Sequence, residues 1–256
     1  MTDFIKQTWD NQAEKHKESH WASWGDNYAI SLEVENIAKY IKEGDNVLDI
    51  GCANGYSTFE QFNRNKIKIH GVDYSEKMIE HAQESKKNKK LGDQITFSVG
   101  DIRQLDFEDN FFDVTYTTRV IINLPNWKEQ VNGISECIRV TKKGGIIILS
   151  EAFWEPLVLL NSLRTLKNLV PLVEHDFNKY LKKQSLEKLL KDALLKYEII
   201  DFSSIYYLGS RFLRELVTKV DDYPGYSNPI NEIFYNIEKD YSGGGFGIQQ
   251  AYVIYK

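Results

Sequence analysis

Sulfur is scarce in this chain. Cys52 and Cys137 are its two cysteines; they stand far apart and neither belongs to a closely spaced pair. That excludes a disulfide framework and a Cys-based zinc site, and fits two reduced thiols in a cytoplasmic protein. Long apolar runs are lacking as well. No stretch approaches the ~18 consecutive apolar residues of a membrane helix, and the first thirty residues are polar throughout, unlike a secretory leader. Nor is there an excess of positive charge. Lys and Arg number 32 against 37 Asp and Glu, a formal net charge of −5, so nothing electrostatic points to nucleic acid as the partner. There is no internal repeat. The one biased run, Lys86-Lys87-Asn88-Lys89-Lys90, suits a solvated helix end where cations complement the macrodipole.

What is present is a regular alternation. Val34, Ile37, Ala38 and Ile41 form a helical stripe that predicts a helix over 31–43, stopped by Gly44. Val47-Leu48-Asp49-Ile50 follows as a short strand, then Gly51 and Gly55 as a turn, then a helix opened by Ser57 and Glu60 in capping-box spacing. Ile67–Val72 reads as a second strand. Ser75 to about Asn88 reads as a helix with Met78, Ile79 and Ala82 on one face. Strands near 95–99 and 112–118, a helix carrying Trp127, Val131, Ile134 and Ile138, and a strand over Ile146–Ser150 continue the rhythm. Strands separated by helices imply an α/β fold with a mostly parallel sheet covered on both faces. Residues 151–184 break the pattern, Ser185–Leu194 resumes a helical stripe, and 197–207 reads as a strand. A Tyr- and Phe-rich interruption over 209–240 then leads through Gly243–Gly247 to a closing strand, Ile248–Tyr255. The expectation is one domain over 1–256, with 1–30 as a lid segment and 151–184 and 209–240 as insertions on one side.

The glycine turn is the chemical centre of the sequence. Gly51-Cys52-Ala53-Asn54-Gly55 gives G-x-A-x-G; a dinucleotide fingerprint would want glycines where Ala53 and Tyr56 stand. Asp49 just before the turn would repel a pyrophosphate and suit a cationic or amine-bearing ligand. Asp73, ending the second strand, can accept from a ribose diol. Asp101, after the third strand, can accept from an adenine amine. A nicotinamide-dependent oxidoreductase conflicts with Tyr56 and with the lack of a Tyr-x-x-x-Lys pair.

These residues resemble the class I S-adenosylmethionine-dependent methyltransferases. The likeness spans roughly 31–150 and the closing strand: Val-Leu-Asp-Ile-Gly-Cys-Ala-Asn-Gly at 47–55, Gly-Val-Asp-Tyr-Ser at 71–75, Gly-Asp-Ile at 100–102, Phe-Phe-Asp-Val at 111–114 and Lys-Lys-Gly-Gly at 142–145. Ala53 departs from the glycine of many members. The resemblance implies a seven-stranded Rossmann-like sheet in order 3-2-1-4-5-7-6 with the last strand antiparallel. It implies S-adenosylmethionine as cofactor and S-adenosylhomocysteine as product; no metal is expected, since the sequence offers no convincing ligand set. Asp49 and the backbone of Gly51, Cys52, Ala53, Asn54 and Gly55 would serve the methionine and ribose end, Asp73 the ribose hydroxyls, Asp101 and Ile102 the adenine, and Tyr74 and Met78 its faces.

For the acceptor, the sequence offers several candidates. Thr117, Arg119 and their neighbours follow the fourth strand, where the family places residues beside the methyl donor; Arg119 can hold an anionic acceptor or the cofactor carboxylate. His175, beside Asp176 in the first insertion, is a candidate base for a hydroxyl acceptor, and Glu151 an edge carboxylate. His16 and His20 are four apart, but no third metal ligand accompanies them. Trp9, Trp21 and Trp24 are either lid or core. The reading is an enzyme methylating a small molecule on O or N, sugars and nucleotide-linked sugars included, with a non-catalytic cofactor-binding module as the alternative. No nucleic-acid or membrane partner is expected.

Overall fold

A computed structural model describes residues 2–175, 177–218 and 225–256. Among them seven strands form one sheet: β1 (Asn46–Ile50), β2 (Lys68–Asp73), β3 (Ile95–Val99), β4 (Phe112–Thr118), β5 (Thr141–Ala152), β6 (Lys196–Ile200) and β7 (Gln249–Tyr255). Their order is β3-β2-β1-β4-β5-β7-β6, with β7 antiparallel to both neighbours and the remaining pairs parallel. This is the fold that the alternation and the family likeness implied. Val47, Leu48 and Ile50 of β1 are at most 1% exposed, as a central strand covered on both faces must be. Each such side chain contributes roughly 1.5–3 kcal/mol.

Helices close both faces. These are α1 (Thr2–His16), α2 (Asn27–Ala38), α3 (Tyr56–Arg64), α4 (Glu76–Asn88), α5 (Trp127–Val140), α6 (Trp154–Leu166), α7 (Lys183–Asp192), α8 (Ser204–Leu208), α9 (Arg214–Val217) and α10 (Ile230–Asp240). The predicted helix over 31–43 begins earlier and ends at Ala38, because Asp26 caps it by accepting from the Ala29 N–H at 3.1 Å. Ser57 and Glu60 make no capping box: α3 starts from Gly55 in the left-handed region, with no side-chain cap. The strand expected over 197–207 stops at Ile200, and the chain turns into α8 and then a π-helical turn, Gly209–Leu213. The Tyr- and Ile-rich run that suggested a strand is packed as a helix, Tyr206 being fully buried.

Candidate functional site

The carboxyl ends of β1 to β5 and the start of β7 open into a cavity of about 1240 Å³. That exceeds the ~300–1000 Å³ of an ordinary small-molecule pocket and gives room for two ligands. The sheet order lays it out as a trough, from Asp101 beyond β3 and Asp73 at β2, past Gly51, to Arg119 beyond β4, Ala152 and Gln249.

At the acidic end, Gly51 is in the left-handed region (φ +77°), and a Cβ there would run into Val120. The turn passes the cavity as bare backbone. Four of its five N–H groups are spent inside the protein: Gly51 and Cys52 on Val72 O, Gly55 on Cys52 O, and Ala53 on Asp73 Oδ2 at 2.9 Å. A turn with most of its donors consumed is a poor cradle for phosphate, in keeping with the missing dinucleotide glycines. Asp73 also accepts from the Ser75 N–H at 2.8 Å. Burial pushes its carboxyl up to about 6, against the pull of these backbone donors. Asp101 faces Arg103, which donates Nε to Oδ1 at 2.9 Å and Nη2 to Oδ2 at 2.5 Å. Burial alone would raise Asp101, but the Arg103 bonds override it and hold the carboxyl below its usual range. Tyr74, Met78 and Ile102 complete this wall.

The other end is aromatic and basic. Arg119 has φ +58°, lies over the Trp24 ring at 4.2 Å and approaches Glu33 at 3.8 Å. Glu33, fully buried, is pushed up to about 7 by that burial, opposed by Arg119 and by Ser150, whose hydroxyl donates to it at 2.6 Å. Tyr180, Tyr207 and Arg211 stand on the same wall, and burial pushes the Tyr180 phenol up to about 12. The three segments expected to cover the site meet here. Trp9 packs edge-on against Phe177 at 5.9 Å, and Trp24 donates its indole N–H to the Tyr226 hydroxyl at 3.3 Å. His175 stacks on Phe177 at the rim. Its neighbour Asp176, and residues 219–224 of the second insertion, lie outside the described residues.

Thus Gly51, Ala53, Asp73, Tyr74, Met78, Asp101, Ile102, Arg119 and His175 line the cavity, whereas Asp49, Cys52, Asn54, Gly55, Thr117 and Glu151 are off its wall. Physical reasons account for these displacements. Asp49 is 1% exposed beneath the turn and accepts from the Thr58 hydroxyl at 2.6 Å; burial pushes it up to about 7. Asn54 turns away to donate to the carbonyls of Lys17 and Ser19 at 2.6 and 2.8 Å. Glu151 is consumed structurally, accepting from the Thr117 hydroxyl at 2.7 Å and from the N–H groups of Val120, Ile121 and Ile122, and burial pushes it up to about 7. Thr118, not Thr117, reaches the cavity, because side chains alternate along β4. Arg103, Tyr180, Tyr207, Arg211 and Gln249 escaped the sequence reading. The Arg103 spacing to Asp101 was a local signal; the others are brought in from distant segments and had none.

A family model for a methyltransferase domain matches residues 41–202. The 27-O-demethylrifamycin SV methyltransferase of Amycolatopsis mediterranei is 26% identical over 163 residues, 61% of this chain and 57% of that protein. The sterol 24-C-methyltransferase of Saccharomyces cerevisiae is 29% identical over 158 residues, 59% of this chain and 39% of that protein. The chain therefore spans about half the length of these curated relatives, or less. A geranyl diphosphate C-methyltransferase from Streptomyces coelicolor A3(2), solved with Mg2+, geranyl diphosphate and S-adenosyl-L-homocysteine, shares the fold, with a TM-score of 0.62 over 99% of this chain and 96% of that one at 14% identity. With the matched stretch running through the glycine turn, Asp73, Asp101 and both central strands, and the sheet in the order 3-2-1-4-5-7-6, the chain belongs to the class I S-adenosylmethionine-dependent methyltransferases.

Proposed function

We propose that this protein transfers a methyl group from S-adenosylmethionine to a small-molecule acceptor on oxygen or nitrogen. The observation that carries the reading is the two-ended trough, acidic and glycine-floored at β1–β3 and aromatic at β4–β7. The acidic end fits the cofactor: Asp73 suits a ribose diol, Asp101 an adenine amine, and a turn with spent N–H groups suits a cationic ligand better than an anionic one. When bound there, S-adenosylmethionine supplies an electrophilic methyl on a sulfonium. Transfer then needs alignment and exclusion of water more than it needs a dedicated acid or base.

The chain's own residues supply both. Segments 1–30, 151–184 and 209–240 act as one cover, clasped by Trp9 against Phe177 and by Trp24 on Tyr226. Arg119, fixed against Trp24, orients the acceptor, and His175 at the rim takes the proton if a hydroxyl is methylated. A polar acceptor, a sugar or nucleotide-linked sugar among them, suits this lining. No helix of the described residues is long and apolar enough to cross a membrane, and a cytoplasmic reaction fits the two free thiols. Incubation with methyl-labelled S-adenosylmethionine and fractionated small metabolites should give a labelled product. Tight binding of S-adenosylhomocysteine with no transfer to any fraction would favour a non-catalytic cofactor-binding module.

A further inference from the structure

The carboxylates of the trough gather at one end, while Lys15, His16 and Arg103 line the cavity as well as the cations beyond β4. Among the described residues, the carboxylates on its wall are Asp73, Asp101 and Glu129. All belong to the β2–β3 end, where Arg103 pairs with Asp101 and lies 3.7 Å from Glu129. The β4–β7 end presents Arg119 and Arg211, with His175 at the rim, and no carboxylate of a described residue. Glu33 and Asp26, which partner these arginines, are fully buried behind them and do not reach the wall.

Arg211 is built to be held still. It sits in the π-helical turn Gly209–Leu213, a distortion of helices that recurs at functional sites. Gly209 permits the turn to pack, since a Cβ there would run into the Phe234 ring. One Nη donates to Ser210 Oγ at 3.0 Å and the other to Asp26. Asp26 is further occupied by the Tyr206 hydroxyl at 2.5 Å and the Ala29 N–H at 3.1 Å. The guanidinium lies over the rings of Tyr207 and Tyr226 at 5.1 and 5.0 Å. A guanidinium carries five N–H donors, and two are engaged. Arg119 adds a second set: its Nε is buried without a hydrogen-bond partner.

From this geometry, and resting on the methyltransferase reading, we infer that the acceptor carries an oxyanion, a carboxylate or a phosphate, anchored by Arg211 with Arg119 as second contact. A planar, pre-oriented guanidinium matches either group through paired N–H donors. With the wall carboxylates confined to the β2–β3 end, the β4–β7 end meets an anionic acceptor without like-charge repulsion.

The test is calorimetric titration of protein saturated with S-adenosylhomocysteine, at fixed ionic strength, with pyrophosphate, malonate and glucose as probes. Pyrophosphate or malonate should bind in the millimolar range and glucose should not. The stronger of the two anions assigns phosphate or carboxylate. Arg211→Gln should weaken anion binding about tenfold or more, and Arg211→Lys less, with S-adenosylhomocysteine affinity unchanged. Because Arg211→Gln leaves Asp26 buried without its cation, the Asp26→Asn, Arg211→Gln double variant provides a neutral control for folding. Wild-type protein that binds neither anion, or a folded Arg211→Gln variant that binds them as well as wild type, overturns the inference. If S-adenosylhomocysteine itself fails to bind, the methyltransferase reading falls, and anion titration of the protein alone still decides the site.

Discussion

Asp73 should make cofactor affinity depend on pH in a window that few other cavity groups share. Its carboxyl is raised by burial to about 6, so in the free protein it is mostly ionised at pH 7 and mostly neutral at pH 5. The ionised form accepts hydrogen bonds from hydroxyls about twice as strongly as a neutral oxygen does. Binding of a diol therefore favours the carboxylate and lowers its pKa. The sign follows: affinity is full above about 6 and is lost as pH falls through that value. A complex that forms only with the carboxylate weakens about tenfold from pH 7 to pH 5, about 1.4 kcal/mol. Asp73→Asn removes the titration. Because both oxygens accept backbone N–H groups, from Ala53 and Ser75, the amide must set its NH2 against one of them. That costs ~1–3 kcal/mol and loosens the turn. Calorimetry with S-adenosylhomocysteine from pH 5 to 8 should thus show a sloping curve for wild type and a weaker, flat one for the variant. A flat wild-type curve, or a slope that survives in Asp73→Asn, refutes the assignment.

Gly51→Ala forces a Cβ into Val120 and leaves a left-handed residue, so stability should fall by about 2 kcal/mol or more, seen as a drop in Tm that Val120→Ala partly restores. Glu151→Ala leaves the Thr117 hydroxyl and three backbone N–H groups unpaired; it should cost about 3 kcal/mol or more in urea unfolding, far more than a merely active-site carboxylate would. His175→Ala should lower kcat/KM for a hydroxyl acceptor about 100-fold while leaving S-adenosylhomocysteine affinity within error, and equal loss of both would move His175 out of the acceptor site. Turnover should survive EDTA, since displacement at a sulfonium methyl draws on alignment and exclusion of water; loss restored by magnesium would refute this.

The expected residues at the β1–β3 end of the cavity are ones whose geometry is local. Asp73 ends β2, Asp101 follows β3 by two residues and Gly51 floors a strand-to-helix turn, so each position follows from its own few neighbours. Asp49 is kept off the wall by burial beneath its own turn, and two other expected residues by remote partners. Asn54 is drawn from the cavity by carbonyls at Lys17 and Ser19, and Glu151 by a loop some thirty residues away. Arg211 is invisible in sequence because Asp26, Tyr226 and a π-helical turn make its environment jointly. The 197–207 run failed for another reason: β-branched and aromatic residues serve a buried helix as well as a strand, and burial decides.

The grip of Asn54 on the chain before it has a consequence for how firmly the amino-terminal segment is held over the cavity. Asn54 holds backbone carbonyls at Lys17 and Ser19, while Ser75 holds Asp10 at 2.5 Å and Lys6 reaches Glu76 at 2.8 Å. The amino-terminal segment is thereby latched to the turns that follow β1 and β2. The deeper latch uses main-chain oxygens, so it depends on the backbone there, with Lys17 at φ +47° and Ser19 capping the turn that follows, whereas the outer, ionic latch yields to salt. Raised ionic strength should therefore loosen the exposed Lys6–Glu76 pair, worth little by itself, and leave the hold of Asn54 on the segment in place.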